Sequence, residues 1–294
     1  MKSDSMLTLQ STGERFLLEN FDENAVEHLH RYGFAASFCI GANVLDIASG
    51  EGYGANILAT KASYVTGVDI SPDAVTHAQT KYGSKNLRYI VGSTESIPLE
   101  TSTIDIVVSF ETIEHHDRHE EMLTEIKRVL KPSGILLMST PDKYNYSDVP
   151  GFNNEFHVKE LYLEQFSELI HRYFKNVVLC HQAFCCGSMI TPINKTNEFR
   201  YYWGDFNNIY ERSYLTRSIY NICISSDEKI PQVGASFLDG GDNYNRYKIH
   251  GEKLISNRLL NARKELYNVY NSKSYRLGSI VLNPIKKMLK AIMR

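Results

Sequence analysis

Residues Val44 to Gly54, VLDIASGEGYG, constrain the fold of this 294-residue chain more than any other stretch. Val44, Leu45 and Ile47 form an apolar, partly β-branched run that stops at small residues and glycines, after which Ala55–Ala59 reads as helix. The expectation is strand, tight loop, helix. Gly50, Gly52 and Gly54 allow positive φ and close approach of a ligand, while the N–H groups opening the following helix can donate to an anionic or carboxylate group.

A second strand, Ser63–Ile70, ends in an acid, and Asp69 lies 19 residues after Gly50. That spacing suits a carboxylate receiving the two hydroxyls of a ribose. NAD and S-adenosylmethionine (SAM) both satisfy the description. Asp46 separates them: a negative charge at the end of the first strand repels a pyrophosphate but stabilises the ammonium and sulfonium of SAM.

With Asp46, Gly50 and Gly52 in place, the segment resembles motif I (Asp-x-Gly-x-Gly-x-Gly) of the class I SAM-dependent methyltransferases. Ala48 replaces the first glycine, which demands an ordinary backbone conformation there. The resemblance implies an α/β, Rossmann-like, seven-stranded fold with SAM as cofactor. It places Asp69 on the ribose and Asp46 near the methionine end. It also puts Ile70, Ser93, Thr94, Phe110 and Glu111 beside the cofactor, Ser93 standing where the family usually has an adenine-binding aspartate. Thr12–Phe16 (TGERF) and Glu27–Tyr32 (EHLHRY) upstream resemble bacterial methyltransferases of surface-polysaccharide and glycan pathways. In that reading Arg15, His30 and Arg31 approach SAM, an arginine meeting its carboxylate in a bidentate contact.

The periodicity predicts helices over about 24–39, 71–81, 121–131 and 160–173. Strands are expected at 87–91, 104–110, 135–140, 176–180 and 219–225, the last antiparallel beside the one before it. Strand 104–110 is apolar nearly throughout and should be covered on both faces. This divides the chain into an N-terminal helical lid (1–39), a catalytic domain (40–226) with an aromatic-rich insertion at about 186–217, and a basic helical C-terminal extension (227–294).

The net charge of −2 is unevenly distributed: residues 251–294 carry ten Lys/Arg against two acids, leaving 22 basic and 32 acidic groups in the body. An acidic body argues against nucleic acid as substrate, and a basic, partly apolar tail suits a peripheral membrane surface or a partner of a glycan-assembly complex. An oligomer formed through this tail is the alternative. Five cysteines at irregular spacing, among them the adjacent Cys185 and Cys186, and an N-terminus without an apolar signal core point to reduced thiols and a cytoplasmic protein.

Methyl transfer needs a positioned acceptor and a group to take its proton. Glu111, Glu114 and His115 follow the fourth strand, where open α/β sheets place ligands. Their Glu-x-x-Glu-His spacing resembles that of ubiquinone-pathway O-methyltransferases, in which the matching residues can hold a divalent cation. Two readings stay open, an acid/base set without metal or a cation site. His157, in Asn154–Glu160, resembles a segment bordering the acceptor in other methyltransferases and is a second proton acceptor. The expected reaction is O-methylation of a sugar hydroxyl. Methylation of a small aromatic or quinone-like metabolite, and a non-catalytic SAM-binding subunit, are the rivals.

Overall fold

The computed structural model describes residues 23–184, 188–193, 201–204, 209–212, 215, 218–239, 256, 258–265 and 267–268. The chain divides into two compact units, residues 1–241 and 242–294. In the second, residues 258–265 are helical and exposed.

The first unit is built on one mixed sheet. Its strands are β1 (Asn43–Ile47), β2 (Tyr64–Asp69), β3 (Leu87–Val91), β4 (Ile104–Phe110), β5 (Leu130–Pro141), β6 (Asn176–Phe184), β7 (Ser188–Pro192), β10 (Tyr220–Ser226) and β11 (Ser236–Leu238). The short strands β8 (Tyr201–Gly204) and β9 (Ile209–Arg212) pair with each other in a separate two-stranded sheet. The spatial order is β3-β2-β1-β4-β5-β10-β6-β7-β11. β1 to β5 run parallel, and β10 lies antiparallel between β5 and β6. The strand order reverses between β1 and β4, which opens a crevice at their carboxyl ends.

Among the described residues of this unit the α-helices are α1 (Glu23–Ala36), α2 (Tyr53–Ala59), α3 (Pro72–Tyr82), α4 (His119–Val129) and α5 (Leu163–Tyr173). Single turns occur at Ile113–His115 (3-10) and Tyr144–Asp148 (π). Strand alternation divides the core in two. Val44, Val65, Ile106 and Val108 face α1 and α2 through Tyr32, Ala35, Ala55 and Leu58. Leu45, Ile47, Val68 and Val107 face α4 and α5 through Met122, Leu123, Ile126 and Phe166. β4 is covered on both faces, as its composition predicts.

Several elements depart from expectation. Among the described residues the sheet has nine strands, the seven expected with β7 and β11 added beyond β6. β11 therefore places a strand in the stretch after residue 226 that reads as helical extension from charge and apolar spacing. Three residues pairing on an edge leave no periodic signal. The helix expected to reach Lys131 ends at Val129, and Leu130–Gly134 is already part of β5, paired through Leu130 to Ile104 across an irregular register. The helix expected from Glu160 starts at Leu163, with Gln165 closing on the Tyr162 N–H. α3 behaves as read: the Ser71 side chain caps it by accepting from the Ala74 N–H, and Pro72 opens it.

Candidate active site

The glycine loop leaves β1 with Ala48 at φ +59°, Gly50 at +53° and Gly52 at +95°. The expectation of an ordinary conformation at Ala48 is thus corrected. The turn needs the left-handed region at the first motif position, and a methyl group tolerates it at a cost because Ala48 is exposed. Gly54 is corrected as well, since it lies inside α2 without positive φ. It is glycine for another reason: a Cβ there would enter the Tyr32 ring. A Cβ at Gly52 would sit 2.6 Å from the Ala78 Cβ, so that position requires glycine both for φ and for space.

Asp69 organises this loop. Its Oδ2 accepts from the Gly50 N–H at 2.8 Å and its Oδ1 from the Ser71 N–H at 2.9 Å, tying the first loop to the start of α3. Tyr89, on β3, donates to the Gly52 carbonyl at 2.6 Å. The Glu51 carboxylate, also buried, accepts from Lys81, His77 and Tyr82 and fixes the loop to α3 from the other side. Ile70 follows Asp69 with 75% of its surface exposed, an apolar face left open at the end of β2. Ser93 and Thr94 are half-buried in the turn after β3.

Asp46 is fully buried and accepts from the Tyr32 hydroxyl at 3.2 Å. Burial, with a smaller contribution from Asp69, pushes its carboxyl up to about 7, against the Tyr32 hydrogen bond. Tyr32 also packs edge-on against Phe110, with ring centres 5.2 Å apart. A single residue of α1 thereby meets the ends of β1 and β4.

Arg31 is wholly buried. Its Nη1 donates to Gln182 Oε1 at 2.7 Å, its guanidinium lies 4.5 Å over the Tyr220 ring, and Glu111 is 3.9 Å away. Nε and Nη2 have no hydrogen-bond partner among the described residues. A buried cation with two unused donors is costly unless an anion meets it. That is the chemistry of a cofactor carboxylate, and with Asp69 and the glycine loop it makes the residues fit SAM. His30 does not join this set. Its Nε2 pairs with Ser236 on β11 at 3.0 Å, and burial followed by the Arg31 charge lowers its pKa to about 4. Arg15 lies outside the described residues, as do Cys185 and Cys186.

At the end of β4, Glu111 adopts φ +52°, a strained conformation for a residue with a side chain. Its Oε1 accepts from Ser139 at 2.6 Å. Glu114 is buried. Its Oε2 accepts from Thr140 at 3.2 Å, while Oε1 lacks a partner among the described residues. Burial first, then the neighbouring Glu111 charge, push the Glu114 carboxyl well above its usual range. His115 Nδ1 sits 3.1 Å from the Phe156 carbonyl, and its ring packs edge-on to that of His157 at 5.2 Å.

Among the described residues the acidic and imidazole groups that converge are Glu114, His115 and His157, with ligand atoms within 4.8 Å of one another. Glu111 is not one of them, since Arg31 and Ser139 engage it, and the cation set Glu111, Glu114 and His115 is corrected accordingly. The converging trio fits a cation poorly. His157 Nδ1 is held by Glu160 at 2.5 Å and Nε2 by the Asn154 amide at 3.0 Å, so neither nitrogen points an unused lone pair at a metal. Gln182 and Thr140 escape a reading of the sequence, while Tyr32, Asn154 and Glu160 enter it only as members of quoted segments, without the contacts they make. Gln182 meets Arg31 from 151 positions away, and no local pattern marks it.

A family model described as a methyltransferase domain matches residues 45–138, from β1 into β5. This stretch carries a methyltransferase domain signature. A probable S-adenosylmethionine-dependent methyltransferase of Mycolicibacterium smegmatis is 35% identical over 167 residues, covering 55% of this chain and 63% of that protein. Phthiotriol/phenolphthiotriol dimycocerosates methyltransferase 1 of Mycobacterium ulcerans is 31% identical over 125 residues, 41% of this chain and 46% of that protein. The chain thus spans less than two thirds of either relative. The YcgJ protein of Bacillus subtilis superposes with a TM-score of 0.50 at 18% identity, over 69% of this chain and all of that one. The methyltransferase fold is the Rossmann-like α/β fold of class I, and SAM is the cofactor it implies.

Proposed function

We propose that this protein transfers the methyl group of SAM to a hydroxyl oxygen, on a sugar of a glycan or nucleotide-sugar acceptor. One observation carries the reading. Arg31, with two unused donors suited to a carboxylate, lies 3.9 Å from Glu111, which opens the segment holding Glu114 and His115. The cofactor side and the proton-accepting side therefore adjoin at the carboxyl ends of β1 and β4.

Bound SAM supplies an activated methyl on a sulfonium, which departs as a neutral thioether. The chain does the rest. Asp69 and the Gly50 loop hold the nucleoside end, and Arg31 and Asp46 the amino-acid end. Phe110 and Glu111 border the reacting side, where His115 or His157 accepts the hydroxyl proton as the carbon–oxygen bond forms.

A second reading is a lipid hydroxyl, favoured by the name of the Mycobacterium ulcerans relative. A quinone-like acceptor is the third. The deciding experiment incubates the full-length protein and methyl-labelled SAM with nucleotide sugars, oligosaccharides, long-chain lipid alcohols and quinone precursors. Label transfer to a sugar is expected. Transfer to lipid alcohols alone selects the second reading, and SAM binding without turnover on any acceptor leaves a non-catalytic subunit.

Residues 251–294 we read as a docking segment for an anionic surface, on the strength of ten Lys/Arg against two acids. Replacing Lys286, Lys287 and Lys290 with Gln should abolish sedimentation with anionic vesicles. Unchanged sedimentation would remove this reading. Among the described residues no helix is long and apolar enough to cross a membrane.

A further inference from the structure

Tyr146 has a fixed ring and a hydroxyl hydrogen that no described residue receives. It lies in the single turn after β5, at the carboxyl end of the sheet, and its N–H donates to the Asp142 carbonyl at 2.8 Å. Asp142 and Lys143 donate their own N–H groups to the Ile219 and Leu161 carbonyls, at 2.8 and 3.1 Å, which ties the turn to the segments on either side. The phenol ring stacks on His157 at 5.3 Å with 25° between the planes and meets Phe152 edge-on at 5.7 Å. Its centre is also 6.3 Å from that of Tyr220, the ring under the Arg31 guanidinium. Tyr146 therefore stands between the histidines and the residues proposed for the cofactor.

The direction of the hydroxyl follows from Asn154. Asn154 Oδ1 accepts the Phe156 N–H at 3.1 Å, so the atom that faces Tyr146 is the amide nitrogen. Nδ2 donates one hydrogen to His157 Nε2 at 3.0 Å and the other to Tyr146 Oη at 3.3 Å. Oη is thus an acceptor towards Asn154, and its own hydrogen must point elsewhere. Among the described residues nothing accepts it. Burial raises the Tyr146 pKa against the Asn154 hydrogen bond, and the charges of Glu111, Glu160 and Glu114 raise it further, so the phenol keeps this hydrogen at neutral pH. The ring is only half-buried, and Phe152 beside it is 51% exposed.

We infer that Tyr146 is a specificity-determining residue: its O–H donates to a neutral hydroxyl of the acceptor that adjoins the one being methylated, and Phe152 receives the carbon face beside it. The inference rests on the methyl-transfer reading and narrows its acceptor to a vicinal diol, the class to which sugars belong. The hydrogen cannot serve the reacting oxygen well, because it would engage a lone pair needed for the bond to the methyl carbon. A carboxylate or phosphate at this place would meet the field of Glu111, Glu114 and Glu160. A lone alcohol on a hydrocarbon chain would leave the O–H unpaired, and a site built around a polar contact rejects a ligand that lacks it.

Kinetics of the full-length protein at saturating methyl-labelled SAM test this, with methyl hexopyranosides and nucleotide sugars as probes, each beside its monodeoxy counterparts. The unsubstituted protein should lose about tenfold in kcat/KM on the counterpart lacking the hydroxyl next to the methylated one. Tyr146→Phe keeps the ring against His157, Phe152 and Tyr220. It should raise KM for the intact sugar about tenfold, hold kcat within about threefold, leave calorimetric SAM affinity unchanged and treat the intact and deoxy sugars alike. A variant that still discriminates between them, or that loses kcat equally on both together with melting temperature, overturns the inference and leaves methyl transfer standing. Transfer by the unsubstituted protein to lipid alcohols alone overturns it as well. An unsubstituted protein that labels no acceptor at all removes the methyl-transfer reading itself, and the inference falls with it.

Discussion

Tyr32, on the helix that precedes the sheet, donates its hydroxyl to Asp46 Oδ1 inside the first strand at 3.2 Å. A residue of α1 thereby controls the carboxylate proposed to meet the amino-acid end of the cofactor. Tyr32→Phe keeps the ring contacts to Tyr53 and Phe110 but leaves a buried carboxylate short of a donor. SAM affinity should fall by about 1–2 kcal/mol in calorimetry, with the melting temperature little changed. A melting temperature that collapses while affinity holds would make the contact purely structural.

Asp46 gives the site a pH dependence whose sign follows from its raised pKa of about 7. The folded chain holds this proton more tightly than the unfolded one. Asp46 therefore contributes no penalty below the usual carboxylate range, and stability falls as pH rises from there through 7. A cationic ligand favours the ionised form, so SAM binding should release a proton below about pH 7 and strengthen as pH rises towards 7, levelling off above it. The limiting slope is one proton, about 1.4 kcal/mol per pH unit. In Asp46→Asn this slope should vanish from calorimetric titrations.

Asp69→Ala removes two backbone hydrogen bonds together with the proposed ribose contact. SAM should weaken by about 2–4 kcal/mol and amide exchange at Gly50 should accelerate. Undiminished affinity would exclude Asp69 from the cofactor site.

Two substitutions in the motif should act in opposite directions. Gly54→Ala drives a methyl into the Tyr32 ring and should destabilise by about 1–3 kcal/mol, while weakening SAM because Tyr32 is displaced from Asp46. Ala48→Gly relieves a left-handed alanine at φ +59°. The strain removed exceeds the added chain entropy, for a net gain of about 0.5–1 kcal/mol in thermal unfolding.

Because both His157 nitrogens are engaged and Glu111 is tied to Ser139 and Arg31, turnover should survive a chelator. Loss of activity on EDTA treatment, restored by a divalent cation, would return the metal reading.

What the sequence determined by itself was local and periodic. Val44–Ala59 encodes a strand, a loop and a helix because an apolar run, small residues and a helix-forming stretch follow one another within sixteen positions. Asp69 and Ser71-Pro72 mark a strand end and a helix start through side-chain chemistry within a few residues of the backbone they satisfy. β4 declares its burial through unbroken apolar composition. The tertiary structure decided what depends on distant partners. The left-handed turn at Ala48 is imposed by the geometry of the loop and contradicts the residue type. Gly54 is set by a ring 22 positions upstream, and Arg31 is oriented by Gln182 from β6. The added strands β7 and β11 exist because a sheet edge offers unpaired backbone groups to short segments with no pattern of their own. The histidines show the same division most sharply. Only the Asn154 amide, which donates to His157 Nε2, and the Phe156 carbonyl, which accepts from His115 Nδ1, decide where each ring carries a hydrogen, and no sequence pattern marks either contact.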